Sequence, residues 1–398
     1  MEKPKIRFKG YQEDWEQRKL GDVFQEYSEK KHPELPALTI IQGAGTVLRE
    51  ESERKLQYDK SSLAGYKMVR EDDFIVHLRS FEGGLEKSNH NGLISPAYHT
   101  FHGDEVDSRF YYPYFRSYEF IKHKLVPHVY GIRDGRSIDI DGMKTIEIPW
   151  TSYEEQKKIG DYIESLDTLI TLHQRKCEEI KTLKKYMLQK MFPQNGQSVP
   201  QIRFSGFTED WEQRKLNEIA DKVSEKNKNN EFSEPFTNSA EQGIISQKDY
   251  FDREIVNNEN LNGYYIVRND DFIYNPRISV TAPVGPINRN RLGRNGVMSP
   301  LYTVFRTHDI DNLYLEFYFK TTKWHRFMKL NGDSGARFDR FTISSTQFME
   351  MPIPYPTLEE QQKIGEYFDS LDHLITLHQQ KCDELRNIKK FMLQNMFI

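Results

Sequence analysis

Cysteine is nearly absent from this sequence: 398 residues carry only Cys177 and Cys382, with no C-x-x-C pair. That scarcity argues against a disulfide framework and a zinc site and fits a reducing compartment. Long apolar runs are missing too, and none approaches the ~18 residues of a membrane span. The opening MEKPKIRFKG has lysines but no apolar segment of a signal peptide. A cytoplasmic protein with no membrane partner is expected. An excess of positive charge is also lacking, because 56 Lys+Arg face 60 Asp+Glu for a net charge of −4. A basic balance is the usual footprint of nucleic-acid binding, so any such contact has to rest on local patches.

Catalytic signatures are equally scarce. The dipeptide Gly-Lys never occurs, which rules out a G-x-x-x-x-G-K-[ST] phosphate loop. Gly43-Ala44-Gly45 is a G-x-G with Leu48 where a third glycine belongs, and it reads as a loop. Gly332-Asp333-Ser334-Gly335 lacks the partner context of a serine nucleophile and reads as a turn. Tyr274-Asn275-Pro276-Arg277 lacks the second proline and aromatic of an amino-methyltransferase motif. Twelve histidines are scattered without H-E-x-x-H. No catalytic residue and no metal site is expected.

The sequence does contain itself twice. EDWEQRKL stands at Glu13–Leu20 and again, letter for letter, at Glu209–Leu216. The match extends to KIRFKGYQEDWEQRKL against QIRFSGFTEDWEQRKL at an offset of 196. GYKMVREDDFI (65–75) matches GYYIVRNDDFI (263–273) at 198, and GLISPAY (92–98) matches GVMSPLY (296–302) at 204. GIRDGR (131–136) aligns with GARFDR (335–340), and Glu154–Ile180 aligns with Glu359–Leu385 at 205. A repeat of this kind sets the architecture before any single element does. Opening and closing blocks are nearly identical, while the middles diverge, so each half is a fixed frame around a variable module.

The closing blocks have the pattern of long helices. Between Glu154 and Phe192 there is no proline and one glycine, Gly160. Taking Ile159 as position a, the a sites are Ile159, Leu166, His173, Ile180 and Met187. The d sites are then Tyr162, Leu169, Lys176, Leu183 and Lys190, with Ile163, Ile170 and Cys177 widening the stripe. The modules read as mixed α/β: VREDDFIVHL and VRNDDFIYN have strand composition, and IDIDGMKTIEIPW and FTISSTQFMEMPIPYP look extended. Expected segments are a first module at 1–150, a helix at 151–192, a linker at 193–200, a second module at 201–355 and a second helix at 356–398. If the helices pair, the second returns antiparallel to the first and the repeat becomes pseudo-twofold. His173 and His378, at mid-helix a positions, would then lie close together. A helix of about 37 residues spans ~55 Å, or at most ~16 base pairs of duplex at 3.4 Å each. On this basis alone, the chain is either a bipartite DNA reader or a bivalent protein–protein adaptor.

Two variable modules, each opened by D-W-E-Q-R-K-L and closed by a proline-preceded E-E-Q-x-K-I helix, resemble the specificity subunits of type I restriction–modification systems. The resemblance runs from Lys5 to Ile398. It implies an α+β fold of two target-recognition domains separated by a pair of long antiparallel coiled-coil helices. It further implies a non-catalytic subunit that binds double-stranded DNA, each domain reading half of a bipartite sequence. Implied partners are methyltransferase subunits, two of them, and restriction/translocase subunits. S-adenosylmethionine, ATP and Mg²⁺ belong to those partners, and this chain is expected to bind no cofactor of its own.

Phosphate contacts position a protein, whereas base contacts specify sequence. Arginines at matched places are therefore backbone candidates: Arg79 with Arg277, Arg133 with Arg337, and Arg136 with Arg340. Base readers are expected where the copies diverge. The candidates are Lys87, Asn89 and Asn91 in EGGLEKSNHN, and Asn275, Asn288, Arg289, Arg291 and Arg294 in and before SVTAPVGPINRNRLGRN, since Arg and Asn make bidentate contacts to guanine and adenine. Trp15 and Trp211 belong to the frame and are expected at the module–helix junction or against a partner subunit.

Overall fold

The computed structural model describes residues 4–52, 60–131, 136–194, 196–250, 258–333 and 339–397. The chain forms two compact units, Met1–Gln174 with Gln379–Ile398, and Arg175–His378. Each unit groups one module with parts of both long helices, rather than following the five consecutive segments expected from the sequence. The reason lies in the helix ends, whose apolar side chains enter the module cores.

Unit 1 runs β1 (Glu16–Lys19), β2 (Gln25–Tyr27), β3 (Phe74–Val76), β4 (Glu86–Lys87), β5 (His99–His102), α1 (Ser108–Phe115), β6 (Glu147–Trp150) and the first part of α2 (Tyr153–Lys190), with shorter elements between. Strands β2, β5, β3 and β4 form an antiparallel sheet in that order. β3 is buried at all three positions, as its Phe-Ile-Val composition suits a central strand. Its aromatic face meets Phe24, Phe101 and Phe115, with the Phe74 and Phe115 rings edge to face at 4.9 Å. Asp107 caps α1 by accepting from the Arg109 amide. Met396 and Phe397, from the far end of the chain, complete this core, and the Ile6 amide donates to the Asn395 carbonyl at 3.0 Å.

Unit 2 repeats the plan with β7 (Glu212–Lys215), β8 (Ala220–Lys222), β9 (Phe272–Tyr274), β10 (Ile287–Arg289), β11 (Thr303–Thr307), α3 (Asn312–Phe319), β12 (Pro352–Tyr355) and α4 (Leu358–Met396), which ends in unit 1. The sheet order is β8-β11-β9-β10. Phe192 is fully buried among Trp211, Tyr314, Tyr318 and Phe368, the counterpart of Phe397 in unit 1. The Ile202 amide donates to the Lys190 carbonyl at 3.0 Å, just as Ile6 does to Asn395. In each unit the opening and closing blocks meet as a strand pair, β1 with β6 and β7 with β12.

Two local expectations change. The segments read as extended contain short helices, Ile140–Lys144 and Ser345–Met349, before β6 and β12. The second is started by Ser344, whose hydroxyl accepts from the Gln347 amide, a capping signal that outweighs strand composition. The helix register also shifts. Ile159, Ile163, Leu166, Ile170, Cys177 and Ile180 are buried, whereas Leu169 and Leu183, expected at d, are more than 40% exposed. The residues taken as a are therefore d, and the widening residues Ile163, Ile170 and Cys177 are the true a sites. Within unit 1 the Cys382 thiol meets the Ile170 carbonyl at 3.7 Å and Lys389 pairs with Asp167. Within unit 2 the Cys177 thiol meets the Ile375 carbonyl at 3.9 Å and Lys184 pairs with Asp372. Rising numbers on α2 meet falling numbers on α4 in both units, so the helices pair antiparallel. His173 falls in unit 1 and His378 in unit 2.

One glycine is structurally required. Gly84 has φ +85 and ψ −170, a region essentially closed to other residues, and a Cβ there would lie 2.1 Å from the Phe115 carbonyl oxygen. Gly84→Ala is expected to destabilise unit 1 by at least about 1–3 kcal/mol, read from urea unfolding. A variant of wild-type stability would contradict this backbone conformation.

Candidate nucleic-acid interface

The repeated frame comes together around one buried carboxylate per unit. Glu155, with no solvent exposure, takes a bidentate contact from Arg7 (2.6 and 2.7 Å), the Trp15 indole N–H (3.1 Å) and the Thr151 hydroxyl. Glu360 takes the same contacts from Arg203 (2.6 and 2.8 Å) and Trp211 (3.1 Å). These carboxylates hold the Arg7 and Arg203 guanidiniums above their ordinary pKa. The adjacent glutamine does a second job: Gln156 accepts from the Asp107 amide and Gln361 from the Asp311 amide, positioning the α1 and α3 starts. Arg, Trp and Glu-Gln are thus three separated letters of one lock between module and helix. Trp15 and Trp211 are 1% and 4% exposed, so both are core residues.

The variable parts are organised differently. A hairpin in each unit, Leu38–Ile41 with Gly45–Leu48 and Phe236–Ser239 with Gly243–Ser246, ends in an exposed turn. Residues 42–45 read QGAG and residues 240–243 read AEQG, so Gln42 and Gln242 stand at different places in the two turns. In unit 1 the buried Glu86 on β4 accepts from the Gly43 (2.9 Å) and Gly45 (3.1 Å) amides and from the Tyr112 hydroxyl (2.7 Å), and pairs with Arg116. In unit 2 Asn288 takes this place: its amide donates to the Asn238 side chain (2.6 Å) and the Ser239 carbonyl (3.1 Å), and it accepts from Lys320 (2.6 Å).

Most base-reading candidates are engaged internally. Asn288 is 5% exposed. Asn89 donates to the Ala44 and Thr46 carbonyls, and Asn275 to the Asn238 carbonyl. Asn91 accepts from the Glu71 amide, as Asn295 does from Asn269, making both a turn staple that the repeat preserves. Lys87 pairs with Asp72 and Arg289 with Asp270. Arg291 bridges Glu316 and Asp369 on α4, and Arg294 makes a bidentate pair with Glu234. Breaking the exposed Arg294 pair by Arg294→Ala is expected to leave the urea midpoint close to that of the wild type, because solvent screens such pairs; a large drop would place that arginine in the fold.

Among the backbone candidates, Arg79 pairs with Glu82, and Arg136 lies 4.4 Å over the Phe81 ring. Arg277 and Arg340 face each other across a β-bridge, both exposed and without an ion pair among the described residues. Arg133 and Arg337 lie outside the described residues. The sequence reading passed over a further set, the lysines late in the long helices, LKKYMLQ at 183–189 and IKKFMLQ at 388–394. They face a groove in each unit. The signal was there, since both copies are basic at these places just past the matched block.

Two copies of one module are each locked to a long helix by the same Arg–Trp–Glu contacts and differ in their exposed hairpin turns. No helix among the described residues is long and apolar enough to cross a membrane. Residues 208–387 match the family model for the type I restriction modification DNA specificity domain. The chain is 24% identical over 95% of its length, and 91% of the relative's, to the type I restriction enzyme MjaVIII specificity subunit of Methanocaldococcus jannaschii. It is 28% identical to the putative type I restriction enzyme MjaX specificity subunit of the same organism, over 64% of this chain and 59% of that protein. The crystal structure of a type I restriction-modification system S subunit from M. genitalium shares the fold at TM-score 0.56 and 14% identity, over 100% of this chain and 99% of that one. Residues 208–387 thus match the DNA specificity domain of the family that the repeated motifs resemble.

Proposed function

We propose that this chain is the DNA-recognition subunit of a type I restriction–modification enzyme, with each module reading one half of a bipartite target. One observation carries the reading. The two units keep the same Arg–Trp–Glu lock but differ in the exposed hairpin turns and in the residue beneath them, Glu86 against Asn288. A scaffold that holds two different readers in one frame has this form. Gln42 and Gln242 are the proposed first base contacts, because a carboxamide pairs bidentately with adenine. Arg277 and Arg340 remain free to take phosphates.

The chain itself performs no chemistry in this reading. Methylation with S-adenosylmethionine, and ATP- and Mg²⁺-dependent cleavage, belong to partner subunits. Each unit offers the same exposed apolar places for them: Leu169, Leu172 and Phe391 in unit 1, and Leu374, Leu377 and Tyr186 in unit 2. Identical surface presented twice suits two copies of a methyltransferase subunit. Selection from a random duplex pool, using the chain bound to methyltransferase subunits, is expected to enrich two short blocks separated by a fixed gap. Enrichment of one continuous block, or of none, would contradict the reading.

A further inference from the structure

Each unit contains an open groove between its module and a long helix, and the two grooves are built from equivalent residues. In unit 2 the groove is about 780 Å³ and carries six lysines, Lys181, Lys184, Lys185, Lys190, Lys320 and Lys323, against one carboxylate, Asp372. In unit 1 it is about 1100 Å³, with Lys87, Arg109, Arg116, Arg386, Lys389 and Lys390 against Glu119, Glu164 and Asp167. Four cationic places coincide at the repeat offsets: 181 with 386, 184 with 389, 185 with 390, and 320 with 116. A chain of net charge −4 thus concentrates positive charge in the same place twice.

Some of this charge is already neutralised. Lys184 pairs with Asp372 and Lys389 with Asp167, closing the helix pair, and Lys320 reaches Asn288. Lys185 and Lys390 are exposed and have no ion pair among the described residues. Lysines crowded without counter-charge repel one another. Burial lowers the Lys320 and Lys323 pKa, and the neighbouring Lys184 and Lys190 push the same way. An anion entering the groove would relieve that repulsion.

We infer that these grooves hold the DNA phosphate backbone, so that the long helices contribute sequence-independent contacts through Lys185 and Lys390, flanked by Lys320, Lys323 and Arg116. The inference rests on the DNA-recognition reading. Its chemical basis is that phosphates are the same at every sequence, so their contacts can be identical in two modules that otherwise differ. Lysine suits this role as a compact, flexible point charge. Successive helical turns, 5.4 Å apart, present a row of such charges along one groove wall.

The test is equilibrium binding of the full chain to two duplexes of unrelated sequence, each of about 40 base pairs, followed by anisotropy at several salt concentrations. A polyglutamate peptide is titrated in parallel. Lys185→Gln with Lys390→Gln is expected to lower the slope of log K against log salt by about 1.8, or 0.9 for each phosphate no longer neutralised. Both duplexes are expected to weaken by the same factor. Lys185→Arg with Lys390→Arg is expected to restore the slope, which separates charge from folding. An unchanged slope in the glutamine variant, with the wild type binding normally, would overturn the inference and leave the DNA reading standing. Weaker polyglutamate binding with DNA binding unchanged would also overturn it and assign the grooves to an acidic protein segment. Failure of the wild type to bind either duplex would overturn both.

Discussion

Glu360→Ala is expected to destabilise unit 2 by about 3–5 kcal/mol, the range for removing one partner of a buried ion pair. The carboxylate is fully buried and is the acceptor for both Arg203 and the Trp211 indole. Its loss leaves a guanidinium that is only 15% exposed without its counter-charge and an indole N–H without a partner. Glu155→Ala is expected to do the same to unit 1. Arg214→Ala supplies the contrast, since it alters the same repeated octapeptide at a half-buried place where the side chain covers the Tyr355 ring at 3.9 Å and pairs with the exposed Glu212 at 3.2 Å. That change is expected to cost about 0.5–1 kcal/mol. Urea unfolding followed by tryptophan fluorescence reads all three. A loss below 1 kcal/mol for Glu360→Ala would show that the carboxylate does not hold module to helix.

Glu86→Ala is expected to erase recognition of one half-site and spare the other. Glu86 sits beneath the hairpin turn at 42–45, where it satisfies two backbone amides, a tyrosine hydroxyl and Arg116. Without it the turn loses its anchor and Arg116 its counter-charge, at a local cost of about 3–5 kcal/mol. The duplexes selected by the variant should then keep one block of the motif while the other degenerates. Glu86→Gln, which retains one acceptor oxygen but no charge, is expected to fall between. Equal degradation of both blocks would mean that the units do not read independently, and no degradation would move the reader away from this turn.

How much of this was legible follows from what a repeat preserves. The frame was readable because Arg7, Trp15 and Glu155 each recur in unit 2, and recurrence marks what both modules need. The antiparallel helix pair was readable from the same symmetry. The heptad phase was not, because His173, Lys184 and Lys389 occupy seam positions and blur the difference between a and d. Exposure of Leu169 and Leu183 beside burial of Ile163, Ile170 and Cys177 settles it. For base readers, divergence pointed to side chains that the fold largely engages internally. Asn288 and Arg289 diverge from Glu86 and Lys87 as internal partners, exchanging a carboxylate–Arg116 contact for a carboxamide–Lys320 contact. Variation in a core network looks like variation in a surface until the fold is known. Asn91 could have been excluded from the sequence, since Asn295 matches it.

The most direct measurement is genome-wide adenine methylation in cells with and without this chain, read by long-read sequencing. One two-part motif with a fixed gap is expected to lose its methylation when the chain is removed. If every methylated motif persists while the methyltransferase partner is expressed, the chain does not direct methylation, and its two modules must bind something other than DNA.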